Sequence, residues 1–176
     1  TIHNQRILPM RKFLLFLFFS GTIIFSSYGQ DIQIFNSENI LIPNNSVIKI
    51  YGNPSDSQIK SMFWIKNSGR RELSLNVSKE VIYRVNQSMN SFYWGSYIEQ
   101  NETSTFSLNL TPNQLSNDFS ALYNPNFSKG SSQIKYTFYD KNNPQIFTAV
   151  IVEFITEQSP NTDRRDGEIS LSNAYP

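Results

Sequence analysis

Residues 72–78 read Glu72-Leu-Ser-Leu-Asn-Val-Ser78, and every second position is apolar. Because successive side chains of a β-strand point to opposite faces of a sheet, this alternation predicts a strand with Leu73, Leu75 and Val77 on its buried face. The same period of two recurs at residues 58–66, 105–111 and 133–139, and each of these stretches is followed by a turn-forming segment or a proline. The chain is therefore built from short strands.

The number of such stretches predicts the fold class. Residues 146–155 form a further, strongly β-branched candidate, and shorter ones lie at residues 47–51, 81–85 and 91–98. Seven to eight strands separated by Asn, Gly, Pro and Ser turns, without helical periodicity between them, predict an all-β protein with an antiparallel β-sandwich. A barrel of similar size is the alternative architecture.

One stretch also predicts what each face of its strand carries. Within residues 58–66 the alternation places Ile59, Phe63 and Ile65 on one face. It places Met62 and Trp64 on the opposite face. Alternation of this kind is what a sheet with one solvated side needs.

The N-terminal segment has the three parts of a secretory signal. Met10-Arg-Lys12 is basic, residues 13–25 are mostly apolar, and residues 26–29 are small or aromatic up to Gly29. An apolar run of 13 residues is too short to cross a bilayer, which takes about 20. We therefore assign residues 10–29 to a signal peptide and residues 1–9 to an upstream leader, and expect no membrane span in the mature chain.

Composition excludes many kinds of catalytic chemistry. The chain has no cysteine, and its one histidine, His3, falls in the leader. The common zinc, copper, haem and iron–sulfur ligand sets and the His-dependent nucleophiles therefore cannot be assembled in the mature protein. We predict no enzyme activity, no catalytic residue, no metal and no cofactor.

The charge balance gives no reason to expect nucleic acid as a partner. Residues 1–29 hold three of the 15 Lys and Arg residues, so 12 basic residues face 14 acidic ones in the remainder. This balance is weakly acidic and evenly spread, whereas nucleic-acid-binding domains concentrate basic residues on one face.

The amino-acid composition changes after the last predicted strand. Residues 158–168 are polar, charged and turn-rich, which is typical of a linker. Residues 169–176, Ile169-Ser-Leu-Ser-Asn-Ala-Tyr-Pro176, begin a new apolar pattern. We accordingly predict one domain over residues 30–157, a linker over 158–168 and the start of a further domain at 169.

Three segments resemble a group of exported Bacteroidota proteins. Residues 169–176 resemble the opening of the C-terminal sorting domain of the type IX secretion system, which typically begins Ser-Asn-x-Tyr-Pro-Asn-Pro and is truncated here. Residues 46–156 resemble the immunoglobulin-like domain that often precedes it, and the signal peptide ending in Gly29-Gln30 is also similar to that group. The resemblance of residues 46–156 rests on Trp64-Ile-Lys-Asn-Ser-Gly69, Phe92-Tyr-Trp-Gly95, Tyr123-Asn-Pro125, residues 130–138 and Asn142-Asn-Pro144.

One departure from the group concerns a disulfide. Relatives often carry Cys-Trp-Gly-x-Cys where this chain has Tyr93-Trp94-Gly95-Ser96-Tyr97, so that disulfide is missing.

The resemblance implies export by the general secretion and type IX machineries, and a secreted or cell-surface location. The leading hypothesis is a non-catalytic extracellular module that acts as an adhesion, spacer or anchoring domain. The alternative function is a carbohydrate-binding accessory domain for surface polysaccharide or another glycan.

The most aromatic stretch supplies the candidate ligand site. Tyr93, Trp94 and Tyr97 could form an exposed platform that stacks on sugar rings. The favoured interpretation is that Phe92, Trp94 or both fill the core, because alternating aromatic residues in β proteins usually pack. Gly95 is then expected at a turn or bulge.

Carboxylates give two weaker candidates. Asp118, Asp140 and Glu102 lie near Asn residues and could hold calcium, but their spacing favours solvated turn residues. Glu99 and Glu102 could form the carboxylate pair of a glycosidase, although an ordinary polar connection is favoured. Arg70 and Arg71 are interpreted as part of a turn.

Overall fold

The computed structural model describes residues 31–157, and every regular element in this range is a strand. The predicted leader (1–9), signal peptide (10–29), linker (158–168) and sorting segment (169–176) lie outside the described residues. The strands are β1 (Ile32–Phe35), β2 (Leu41–Ile42), β3 (Ser46–Gly52), β4 (Ile59–Asn67), β5 (Leu73–Tyr83), β6 (Met89–Trp94), β7 (Tyr97–Glu99), β8 (Leu108–Leu110), β9 (Leu115–Asn124), β10 (Gly130–Asp140) and β11 (Asn143–Thr156).

The strands form the two sheets of an immunoglobulin-like β-sandwich. The first sheet has the order β2-β1-β4-β9-β6-β7, and the second has the order β3-β11-β10-β5-β8. The all-β sandwich is thus confirmed, with two corrections. There are eleven strands rather than seven to eight, because the sequence pattern does not mark the short strands β1, β2, β7 and β8 separately or the polar strand β9. The pair β3–β11 is parallel, whereas the prediction was wholly antiparallel.

The predicted division of side chains between two faces is confirmed, and the structure shows which face is buried. Ile59, Phe63 and Ile65 of β4 are buried between the sheets, while Met62 and Trp64 lie on the outer face. Leu73, Leu75 and Val77 of β5 are fully buried. This burial is the main stabilising contribution, since each large apolar side chain removed from water contributes roughly 1.5–3 kcal/mol.

Aromatic rings fill the centre of the core. Phe119 of β9 lies between the two sheets, with ring centroids 5.1 Å from Tyr136 and 4.8 Å from Phe138, both in edge-to-face geometry. Burial raises the pKa of the Tyr136 phenol, whose oxygen has no hydrogen-bond partner among residues 31–157. Rings of this kind link the two sheets of a chain that has no cysteine.

The chain enters and leaves the sandwich at opposite ends. Ile32 pairs with Asn67, so β1 begins beside the end of β4. At the other end the N–H of Glu157 donates to the carbonyl of Gly52, and Gly52 lies against Ile59, where β4 starts. The nine residues of β4 span roughly 27 Å at about 3.4 Å per residue. We call the Asn67 end the entry end and the Gly52 end the exit end.

Buried polar groups tie the sheets together at the entry end. The Asn67 side-chain amide donates to the carbonyls of Arg71 and Leu110, each at 2.8 Å. Next to it, the Arg71 guanidinium donates to the carboxylate of Asp140 at 2.8 Å. Asp140 is fully buried, so it is not the solvated turn residue that the sequence favoured, and Arg71 has a specific partner rather than a place in an ordinary turn.

Residues 31–157 contain no helix of the length and hydrophobicity that a membrane span requires. The charges of this range are carried on strands and turns of the sandwich.

Candidate functional site

The three residues of the predicted aromatic platform do not share a surface. Trp94 is fully buried in the core, with ring centroids 6.0 Å from Phe138 and 6.5 Å from Phe119. Tyr97 is opposite Trp94 in the β6–β7 hairpin and therefore lies on the same side of the sheet, at its edge. Tyr93 points to the opposite side. The hypothesis that these three residues form one exposed platform is therefore wrong. The favoured interpretation, in which Trp94 is a core residue, is correct.

The hairpin turn explains why this stretch packs as it does. Gly95 has a φ of +61°, a conformation that side chains rarely tolerate. A Cβ at this position would lie 2.7 Å from Cζ of Phe106, so the ring fits only against a glycine. Phe106 in turn contacts the Tyr97 ring at a centroid distance of 5.0 Å. Tyr97 is 62% exposed but is held in this contact.

Tyr93 belongs instead to a surface that crosses the first sheet. Register places it in one row with Ser120 and with the exposed residues Met62 and Ile98. Half-buried Trp64, two residues from Met62 along β4, is paired with Phe35 of β1. We call this surface the outer aromatic face; it consists of Phe35, Met62, Trp64, Tyr93 and Ile98.

A cleft opens where this face reaches the exit end. Its volume is about 400 Å³, which lies within the usual range for small-ligand sites. The floor includes Leu122, next to Ser91, and Ser91 is two residues from Tyr93 on the same face of β6. The residues that line the cleft are mostly amides and hydroxyls: Ser57, Gln58, Arg84, Met89, Asn90, Ser91, Gln100, Leu122, Tyr123 and Asn124.

Two cationic side chains lie next to this cleft. Arg84 is exposed at its rim and has no ion-pair partner within residues 31–157. Behind the wall, the buried Lys79 ammonium donates to the carbonyls of Asn90 at 3.3 Å and Gln100 at 3.0 Å. Burial lowers the pKa of Lys79; the nearby carboxylate of Glu102 opposes this shift and the charge of Arg84 adds to it. None of the described residues lining the cleft is acidic.

One lining residue has an unsatisfied acceptor. The Oδ1 atom of Asn90 is buried and receives no hydrogen bond from any residue between 31 and 157. A buried polar atom without a partner costs about 1–3 kcal/mol, which a donor supplied from outside would recover. Asn90 is half-buried as a residue and lines the cleft.

The carboxylates that the sequence proposed as calcium ligands or as a glycosidase pair do not form such a site among the described residues. Glu99 is buried and accepts hydrogen bonds from the N–H and the hydroxyl of Thr105, so it is not part of an ordinary polar connection. Asp118 accepts a hydrogen bond of 2.6 Å from Ser116. Glu102 is exposed near Lys79. Across the described part of the chain, no group of three His, Cys, Asp or Glu side chains could hold a metal ion.

The sequence did not mark the residues that form the cleft. Arg84, Gln58 and Gln100 lie in connections between strands, where polar residues are common, and no motif singles them out. They meet only because β4, β6 and β9 are neighbours in the first sheet. An isolated arginine directly after a strand rich in apolar residues was the one available signal, and it is a weak one.

Comparison with known proteins gives information about the fold alone. The chain matches no known protein-family model, and no curated protein matches it in sequence. Among solved structures it is similar to the N-terminal domain of PorA, with a TM-score of 0.52 and 12% identity over 72% of this chain and 97% of that one. This likeness agrees with the two-sheet sandwich.

Two other solved structures share less of the architecture. The PapD-like domain 7 of human CEP192 has a TM-score of 0.42 and 10% identity, over 74% of this chain and 87% of that one. CfaE, the adhesive subunit of CFA/I fimbria of enterotoxigenic Escherichia coli, has a TM-score of 0.38 and 11% identity, over 73% of this chain and 49% of that one.

Proposed function

We propose that this chain is a non-catalytic, extracellular β-sandwich module that serves its parent protein as a spacer, adhesion or anchoring domain. The observation that carries the proposal is the position of the first and last described residues of the sandwich, Asp31 and Glu157. Because Asp31 and Glu157 lie at opposite ends of the sandwich, neighbouring segments on either side would be held apart by the full length of the domain. A domain that separates the segments before and after it in the same chain needs this arrangement; we call this separating function the in-series role.

The non-catalytic part of the proposal rests on the state of the acidic side chains. Asp140 is bound to Arg71, Glu99 to Thr105 and Asp118 to Ser116. A glycosidase needs two carboxylates that face each other across a substrate. These three carboxylates instead bind side chains of their own domain and stabilise its strands and loops.

The extracellular part of the proposal rests on the two chain ends in sequence. The signal-peptide pattern at residues 10–29 and the sorting-domain resemblance at 169–176 both point to export, by the general secretion machinery and then by the type IX machinery. The outer aromatic face would then be exposed to surface polysaccharide or to other molecules outside the cell.

A second candidate function is carbohydrate binding, and the cleft at the exit end favours it. Amide and hydroxyl side chains such as Gln58, Asn90 and Ser91 can exchange hydrogen bonds with several hydroxyls of one sugar ring. Met89 and Leu122 offer apolar contact to its C–H groups. This site lies away from the Trp94 position at which the sequence placed the carbohydrate platform.

Forced unfolding of single molecules tests the in-series role. Handles attached at Asp31→Cys and Glu157→Cys load β1 and β11 along their length, so all hydrogen bonds of a ladder share the force. Handles at Asn53→Cys and Glu157→Cys instead pull the parallel neighbours β3 and β11 apart from one end, and their bonds break one after another. We expect the first pair to give clearly the higher unfolding force.

The two handle pairs share the Glu157 attachment and the same cysteine-free background, so their comparison is matched. An unfolding force that is equal for the two geometries, or lower for the Asp31–Glu157 pair, would contradict the spacer role.

A further inference from the structure

We propose that the cleft at the exit end binds a carboxylate-bearing saccharide, with the Arg84 guanidinium as the group that recognises the carboxylate. The proposal rests on the second candidate function, carbohydrate binding, and not on the in-series role. It adds the chemical class of the ligand and the residue that selects it.

Electrostatics selects an anion. The cleft has a cationic side chain at its rim in Arg84 and the buried ammonium of Lys79 directly behind the Asn90 and Gln100 carbonyls. Its described lining carries no carboxylate to neutralise them. The carboxylate of Glu102 acts on Lys79 and lines a different pocket with it, not this cleft. A guanidinium without an ion-pair partner matches a carboxylate with two parallel hydrogen bonds.

The remaining lining selects a saccharide rather than a simple anion. Four amide side chains, those of Gln58, Asn90, Gln100 and Asn124, surround the cleft with paired donors and acceptors. A phosphate or sulfate offers acceptors only, whereas sugar hydroxyls also donate. The buried Oδ1 of Asn90 lacks a donor among the described residues, and a hydroxyl is the kind of donor that it lacks.

The surroundings of the cleft set the direction in which a longer chain would continue. Ser91 lines the cleft, and Tyr93 follows on the same face of β6 with the Lys60 ammonium 5.6 Å from its ring centroid. An acidic oligosaccharide leaving the cleft would therefore reach an aromatic ring for stacking and a second cation. This path runs onto the outer aromatic face.

Calorimetric titration of the full chain tests the proposal with three probes at about 0.15 M salt, where surface charges are well screened. The probes are a galacturonic acid trimer, the neutral trimer maltotriose and inorganic tripolyphosphate. We expect the galacturonic acid trimer to bind most tightly. Arg84→Gln should weaken it by roughly tenfold or more, the usual effect of losing a charge-assisted hydrogen bond.

Arg70→Gln is the matched control, because Arg70 is an equally exposed arginine at the entry end of the sandwich. It removes the same charge and should leave binding unchanged, and neither substitution should move the thermal unfolding transition. Undetectable binding of the galacturonic acid trimer, or equal losses in the two variants, would overturn the proposal. Maltotriose binding as tightly would overturn the anion selectivity, and tripolyphosphate binding as tightly would overturn the saccharide. A negative titration together with a high Asp31–Glu157 unfolding force would leave the in-series role standing.

Discussion

Replacing Trp94 with alanine is expected to lower the free energy of unfolding by about 3–5 kcal/mol, the usual cost of deleting a large buried aromatic side chain. Trp94 is fully buried and its ring contacts Phe119 of the first sheet and Phe138 of the second. Its removal would leave a cavity between the two sheets, next to the β6–β7 hairpin. Urea unfolding monitored by tyrosine and tryptophan fluorescence measures the change.

Tyr97→Ala is the matched control, because Tyr97 stands opposite Trp94 in the same hairpin but is mostly exposed. The Tyr97 ring contacts Phe106, and losing this contact should lower the free energy of unfolding by no more than about 1.5 kcal/mol. Trp94→Phe retains a ring in the core and should lose less than Trp94→Ala. If Trp94→Ala cost less than Tyr97→Ala, the tryptophan would be a surface residue, as the platform hypothesis required.

Replacing Arg71 with methionine is expected to cost about 3 kcal/mol, because it leaves the buried carboxylate of Asp140 without its countercharge. Asp140 has no exposed surface, and besides Arg71 it accepts hydrogen bonds only from the main-chain N–H groups of Ser74 and Asn142 among the described residues. Arg71 itself is half exposed, so the loss of stability comes from the unpaired buried charge of Asp140 rather than from lost packing of Arg71. Thermal and urea unfolding both measure it.

The double variant Arg71→Met with Asp140→Asn separates these effects. It removes the stranded charge and keeps the shape of the acceptor, so it should be more stable than Arg71→Met alone. Arg70→Met, one position away, removes an exposed arginine and should change stability by no more than about 0.5 kcal/mol. A double variant that is less stable than Arg71→Met would show that the Asp140 charge is not the source of the cost.

The strand faces could be predicted because they depend on local alternation. Leu73, Leu75 and Val77 are buried as the period of two required, and so are Ile134, Tyr136 and Phe138. Strand β9 could not be found in this way. It lies between β4 and β6, and its outward residues Ser120 and Leu122 are buried as well, so burial does not alternate along it. Its Asn, Asp and Ser residues also have low strand propensity.

The sites were harder to predict than the fold, because they depend on which strands become neighbours. Asp140 has the sequence context of a turn, and only the approach of Arg71 at the entry end makes it a buried ion pair. Tyr93, Trp94 and Tyr97 come from one short stretch, yet strand alternation turns Tyr93 to the opposite side of the sheet from Trp94 and its partner Tyr97. The cleft around Arg84 joins segments as far apart in sequence as Ser57 and Asn124.

Cysteine labelling on intact cells tests the central proposal, an extracellular sandwich module, most directly. The chain has no cysteine, so Tyr51→Cys, at a 67% exposed position of β3, gives a single reactive site. Ala121→Cys, at a fully buried position, is the control and should react only after denaturation. We expect a membrane-impermeant maleimide to label Tyr51→Cys as completely on intact cells that produce the full chain as in their lysate. Labelling of Tyr51→Cys only after lysis would contradict the proposal.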